Sequence, residues 1–154
     1  MLVYYYSHSG NVAALAATIA DYYHIDSVEL KPQKPYGKSL FFLQALGQTL
    51  FKKNPPLADY RKPKGEEALF ICFPVWADNF AAPLNTFMAE NNLNGRKIVL
   101  VSCSQRSEPE AAWQIFKNEH PQIELSSVKN FTTKEDPMIL NRKDVTDWLK
   151  GLQV

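Results

Sequence analysis

Apolar runs and helical patterns alternate along this chain, with short polar stretches between them. Residues 2–6 are β-prone and predict a strand, and a helical pattern begins soon afterwards. Its apolar positions Val12, Leu15, Ala16 and Ile19 follow the i, i+3, i+4, i+7 spacing of one helix face. The N-terminal sequence therefore predicts a strand, a tight polar turn and a helix.

Four further strands are predicted at residues 25–30, 68–73, 98–102 and 123–131. Residues 68–73 and 98–102 are almost entirely apolar, so both faces of these strands are expected to be buried, as in a parallel sheet covered by helices. The more polar residues 123–131 predict an edge strand.

Helical patterns lie between these strands. They are predicted over residues 37–53, then after residue 79 up to the pair Asn94-Gly95, and from about Asn141. Ser107 with Glu110 three residues later forms a capping box that predicts the start of another helix. Five strands alternating with helices predict a single α/β domain over residues 1–154, a doubly wound three-layer sandwich with a five-stranded parallel sheet.

Three polar loops are predicted at the carboxyl ends of the strands, at residues 7–12, 74–79 and 102–107. In doubly wound sheets this end holds the ligand, so these loops predict a binding site. The first loop precedes a helix, whose first backbone N–H groups favour an anion, and Ser7, Ser9 and Gly10 add hydroxyl donors and room for close approach. The alternative is a plain helix cap made by Ser9 or Asn11.

The composition mainly excludes certain classes of function. The 154 residues are 45% hydrophobic and 21% charged with a net charge of +1, so the overall balance points neither to nucleic acid nor to an anionic membrane. No apolar run is long enough to cross a bilayer and the N-terminus lacks a signal-peptide pattern, which predicts a cytoplasmic protein. The two cysteines lack the spacing of a metal or dithiol motif, and Cys103 is expected to be structural.

The sequence resembles the flavodoxin family along nearly all its length. Residues 7–12, Ser-His-Ser-Gly-Asn-Val, are similar to the family's phosphate loop, Ser/Thr-x-Thr-Gly-Asn-Thr. Residues 73–76, Phe-Pro-Val-Trp, are similar to its second flavin loop, and residues 92–100 to the approach to its fourth strand. The resemblance implies a short-chain flavodoxin with strand order 2-1-3-4-5 and non-covalent FMN.

The resemblance also implies the residues that bind the cofactor. Val12 stands where the family has a threonine, and the second and third loops lack the family's glycines. The phosphate is assigned to Ser7, His8, Ser9, Gly10, Asn11 and Val12, one side of the ring to Pro74, Val75, Trp76, Ala77 and Asp78, and the other side to Cys103, Ser104, Gln105 and Arg106.

Several assignments have two interpretations. Trp76 either stacks on the flavin ring or closes the end of the sheet. His8 either becomes protonated beside a phosphate or is a solvent-facing turn residue. Arg106 would stabilise the anionic reduced flavin and Asp78 would oppose it, unless both are solvated loop charges.

The resulting functional prediction is an FMN-binding electron-transfer protein of the flavodoxin type, with no catalytic residue and no metal. Its partners would be a reductase and an electron-accepting protein, and it would be a monomer or weak homodimer. The first alternative is an FMN-dependent NAD(P)H or quinone oxidoreductase, so the enzyme question stays open. The second is a binding module that has lost FMN.

Overall fold

The computed structural model describes residues 1–36, 47–48, 51, 53–65, 68–105, 109–132 and 141–153. The strands and helices in these ranges are β1 Leu2–Tyr5, α1 Asn11–Tyr23, β2 Ser27–Glu29, β3 Leu69–Trp76, β4 Asn79–Phe80, α2 Pro83–Glu90, β5 Lys97–Ser104, α3 Glu110–Glu119, β6 Glu124–Thr132 and α4 Arg142–Lys150.

The strands form one sheet with the order β2-β1-β3-β5-β6. All four of these pairings are parallel, while the two-residue β4 pairs antiparallel with β3. When only the parallel strands are counted, the order is 2-1-3-4-5, and β4 is an addition to it. The predicted α/β fold with its parallel sheet is therefore confirmed, and β6 is an edge strand as expected.

Both faces of the sheet are buried, as the unbroken apolar runs predicted. Along β3, Leu69, Ile71 and Phe73 belong to one core cluster. Phe70 and Cys72 belong to the other, because successive side chains of a strand point to opposite faces. All five side chains are fully buried.

The helices divide between the two faces. Helices α1 and α4 contribute Val12, Leu15, Val145 and Leu149 to one cluster, and α2 and α3 contribute Leu84, Phe87 and Phe116 to the other. The helices cover the central strands from both sides, so the accessible parts of the sheet are the strand ends and the edge strands β2 and β6. Within the described ranges, no helix is long and apolar enough to cross a membrane.

Residues 53–65 cross the face that α2 covers and are held there by side chains from the core elements. Thr86 donates to the Pro55 carbonyl at 2.7 Å, Asn85 donates to the Lys53 carbonyl at 3.2 Å, and Tyr4 donates to the Arg61 carbonyl at 2.7 Å. This segment is therefore fixed to the fold at Lys53, Pro55 and Arg61.

Some predicted boundaries are wrong. The third strand extends beyond residue 73 because β4 and β5 give its last residues pairing partners, and the strand predicted over residues 25–30 shortens to β2. Helix α2 ends at Glu90, before the Asn94-Gly95 turn. Helix α3 has Pro109 as its N-cap, so Ser107 does not start it. Most of the helix predicted over residues 37–53 lies outside the described residues.

Candidate functional site

The candidate site lies where β1, β3 and β5 end and α1 begins. Parallel strands bring their carboxyl ends to one edge of the sheet, and the helix after β1 starts at that same edge. The structure therefore brings together the three predicted groups of residues, apart from Arg106, which lies outside the described residues.

No side-chain cap and no acidic side chain occupy the N-terminus of α1. Its N-cap, Gly10, has φ +96° and ψ −17°, and no side chain caps the helix. No acidic residue occupies the first turn. The Gly10 N–H donates to Ser7 Oγ at 3.2 Å, and neither Ser9 nor Asn11 caps the helix, so the plain helix cap predicted as an alternative is absent.

Gly10 is the residue that makes this turn possible. Its positive φ is accessible to glycine without strain, and a Cβ placed on it would meet nothing within 4 Å. The space above the turn is therefore open, and the backbone N–H groups beyond it can be approached closely.

The last two residues of the predicted phosphate loop, Asn11 and Val12, are buried at the start of α1. Val12 is 2% exposed and packs in the core beneath α1, and Asn11 is 9% exposed. A buried isopropyl group cannot reach a ligand at the surface, so Val12 can serve the predicted phosphate site only through its backbone. Both residues still present backbone N–H groups in the first turn of α1.

His8 and Ser9 are exposed at the start of this loop. Partial burial lowers the pKa of His8 below its ordinary value, because desolvation disfavours the imidazolium. His8 is therefore mainly neutral at pH 7 in the protein without a ligand.

Trp76 sits in an aromatic group with Tyr6 and Tyr36. The Trp76 ring centroid lies 5.4 Å from that of Tyr6 and 6.0 Å from that of Tyr36, both with edge-to-face geometry. Trp76 is half-buried, and Tyr36 donates to Gln48 Oε1 at 2.7 Å. Neither tyrosine was predicted to lie at the site. The position of Tyr6 directly after β1 was a usable signal, whereas Tyr36 reaches the site from a distant loop.

A two-residue turn holds the indole in place. Ala77 and Asp78 connect Trp76 to Asn79, which are partners across the β3–β4 hairpin. Both turn residues have positive φ, 49° and 58°, which is the geometry of a type I′ turn. Pro74, Val75 and Trp76 were predicted as loop, but they form the end of β3 because this hairpin continues the strand.

Two residues of the third predicted group also belong to a strand. Cys103 and Ser104 are the last residues of β5, and Gln105 after them is exposed. Cys103 is 5% exposed, so its side chain is almost fully buried. Burial raises the pKa of its thiol to about 12, which leaves it protonated and unreactive at neutral pH.

A small polar cluster lies behind Cys103. Ser102 and Ser104 both donate to Asn130 Oδ1, at 2.9 and 3.1 Å. Ser102 is fully buried and Ser104 is 7% exposed. The cluster ties the ends of β5 and β6 together, and the sequence offered only one hint of it, the serine that ends an apolar run.

These observations fit a phosphorylated planar ligand. The uncapped helix with a neutral first turn fits the phosphate, the half-buried Ser7 and the exposed Ser9 lie beside it, and the half-buried Trp76 offers a ring contact.

Comparison with known proteins points to one family. A family model described as flavodoxin matches residues 50–152, about two thirds of the chain. The matched part includes β3 and β5 with the second and third groups of site residues, and it begins after the phosphate loop. A search of curated proteins gave no match.

Solved structures match over almost the whole chain. A proposed flavoprotein from Bacteroides eggerthii is 21% identical, with a TM-score of 0.79, and the match covers 99% of this chain and 97% of that one. A flavoprotein from Lactobacillus acidophilus, solved in complex with FMN, is 20% identical with a TM-score of 0.72, covering 84% and 91%. At these identities the likeness shows a shared fold.

The fold and the site together define a doubly wound α/β protein with an uncapped helix N-terminus and a half-buried tryptophan at the carboxyl edge of its sheet. The family match extends over more than half of its length. The chain belongs to the flavodoxin family.

Proposed function

We propose that this protein binds FMN at the carboxyl edge of the sheet and carries electrons between proteins. The observation that supports it most is the N-terminus of α1, which has an open glycine turn, no side-chain cap and no acidic residue in its first turn. Family membership and a structural neighbour solved with FMN support the same cofactor.

In this proposal the chain's own residues bind and orient the cofactor. Ser7, Ser9 and the backbone N–H groups from Gly10 onward hold the phosphate, with no lysine or arginine in the loop. Trp76 contacts the ring, held by Tyr6 and Tyr36. The flavin supplies the redox chemistry, and the protein needs no acid or base of its own.

The test is a titration of the purified protein with FMN and, separately, with riboflavin, which lacks the phosphate. We expect one-to-one FMN binding with quenching of flavin and tryptophan fluorescence, and much weaker riboflavin binding. Ser9→Ala should weaken FMN binding several-fold and leave riboflavin binding unchanged, because only the phosphate contact is lost. Trp76→Ala should weaken both.

The electron-carrier role is tested separately from FMN binding. An electron carrier should accept electrons from a reductase and give no steady turnover with NADH or NADPH alone. Steady direct turnover would favour the reductase alternative. A folded protein that binds neither flavin would exclude the cofactor and, with it, the carrier.

A further inference from the structure

The charge of this chain is distributed very unevenly. Residues 30–65 contain seven lysines and one arginine against a single acidic residue, Asp59. That segment has a net charge of +7, so the other residues carry −6 to give the +1 of the whole chain. The chain is therefore nearly neutral overall but contains a strongly basic segment.

The described basic side chains of this segment are all at the surface. They are Lys31, Lys34, Lys53, Arg61, Lys62 and Lys64, and each is exposed. Two of them have acidic neighbours, Lys31 with Glu29 at 3.1 Å and Arg61 with Asp26 at 2.8 Å.

Backbone bonds bring the two ends of the segment together. Pro32 and Leu57 form an antiparallel bridge, the Gln33 N–H donates to the Pro56 carbonyl at 2.8 Å, and the Ala58 N–H donates to the Lys31 carbonyl at 2.8 Å. The lysines near residue 31 and those near residue 53 are therefore on one surface and not merely close in sequence.

This surface reaches the candidate flavin site through a short chain of contacts. Trp76 packs against Tyr36, which is two residues after Lys34 and donates to Gln48. The Gln48 carbonyl accepts the Lys53 N–H at 2.9 Å. A protein docked on these lysines would therefore lie next to the edge where the ring is proposed to bind.

An exposed aromatic side chain lies near Lys53. Phe51 is 76% exposed, the most exposed of the large apolar side chains in the described ranges, and it is two residues from Lys53. Aromatic residues are enriched at the centres of protein interfaces.

We propose that Lys31, Lys34, Phe51 and Lys53, the basic surface, form the docking site for a redox partner protein with an acidic surface. The inference rests on the proposed FMN function and identifies its partner by charge. Lysines raise the encounter rate with an acidic protein, and Phe51 supplies an apolar contact once the two surfaces meet.

The probe is a plant-type [2Fe–2S] ferredoxin, an acidic one-electron donor, mixed in reduced form with the FMN-loaded protein in a stopped-flow experiment. Each reduced ferredoxin becomes oxidised by giving up one electron. Two of them, with one proton from water, convert bound FMN to its two-electron-reduced anion. We expect the second-order rate to fall roughly tenfold or more as ionic strength rises, because salt screens the attraction.

Two triple variants with equal charge changes locate the surface. Lys31→Gln with Lys34→Gln and Lys53→Gln should lower the rate at low salt about tenfold and flatten its salt dependence. Lys117→Gln with Lys143→Gln and Lys150→Gln, all exposed on α3 and α4, should leave most of the rate intact. Phe51→Ser should lower the rate further without changing the salt dependence.

The outcomes separate the two proposals. If the protein does not bind FMN, the proposed function fails before ferredoxin is added. If FMN binds but the rate is independent of salt, rises with salt, or falls equally in both triple variants, the docking surface is overturned. Tight binding to phosphatidylserine vesicles through the same lysines, without a salt-sensitive ferredoxin rate, would replace the protein partner by an anionic membrane.

Discussion

Ala77 has a backbone conformation that is unfavourable for an alanine. Its φ of 49° lies in the left-handed region, where an L-residue with a Cβ is disfavoured. Asp78 beside it also has a positive φ, but aspartate tolerates this region better than alanine. The strain is therefore concentrated at Ala77, one residue from the proposed ring contact.

We expect Ala77→Gly to raise the free energy of unfolding by about 0.5–1 kcal/mol. Relief of the left-handed strain is worth more than the extra entropy that glycine gains in the unfolded chain. Ala77 is exposed, so no packing is lost. Urea denaturation measures the change.

Ala111→Gly is the matched control. Ala111 is exposed on α3, where glycine should lower the free energy of unfolding by about 1 kcal/mol. If both substitutions destabilise equally, the positive φ at Ala77 is not a source of strain.

Individual site residues differ in how far the sequence could reveal them. Ser7 and Gly10 follow directly from a loop between a strand and a helix, since their roles are local. The loop motif alone assigns Val12 to the phosphate. The helix periodicity instead places its side chain on the apolar face, which packs in the core. Tyr36 contacts Trp76 only through the tertiary fold, and no local pattern predicts that contact.

At the scale of elements, the apolar runs predicted the positions and the burial of the parallel strands well. They did not predict where the strands end. Residues 74–76 looked like loop because Pro74 interrupts the run, yet they pair with β4 and β5. The hairpin itself was missed because Ala-Asp is an unusual sequence for a type I′ turn. Strand ends depend on partners that lie elsewhere in the chain.

The hairpin is held against α3 by aromatic packing. Phe80 of β4 is 2% exposed, and its ring centroid lies 5.7 Å from that of Phe116 in edge-to-face geometry. Phe73 adds a second edge contact at 6.4 Å. Because Trp76 is paired to Asn79, the residue next to Phe80, this packing also positions the proposed ring contact.

A double-mutant cycle measures this link. Phe80→Leu and Phe116→Leu should each destabilise the protein, and the double variant should lose less than both changes together, by about 0.5–1.5 kcal/mol of coupling. We also expect Phe80→Leu to change the fluorescence of Trp76. Strict additivity in the cycle would show that the two rings do not hold the hairpin to the helix.

At the scale of the whole molecule, burial raises the pKa of several tyrosine hydroxyls and of both cysteine thiols. Burial raises the pKa of the Cys103 thiol and of the Tyr36 and Tyr60 hydroxyls to about 12. Their ordinary values are 9.0 for the thiol and 10.0 for the hydroxyls. Between these values and 12, the unfolded chain releases protons that the folded chain retains.

Stability should therefore fall as pH rises from about 9 to 12. The folded state binds more protons than the unfolded state in this window, so the slope of unfolding free energy against pH is negative, and below pH 9 these groups contribute no slope. Urea midpoints measured from pH 7 to pH 11 test this. Tyr36→Phe should reduce the alkaline decline, because one of these ionisations disappears, whereas Tyr22→Phe, at an exposed position on α1, should retain it. Equal declines in both variants would show that burial of Tyr36 does not contribute to the alkaline loss of stability.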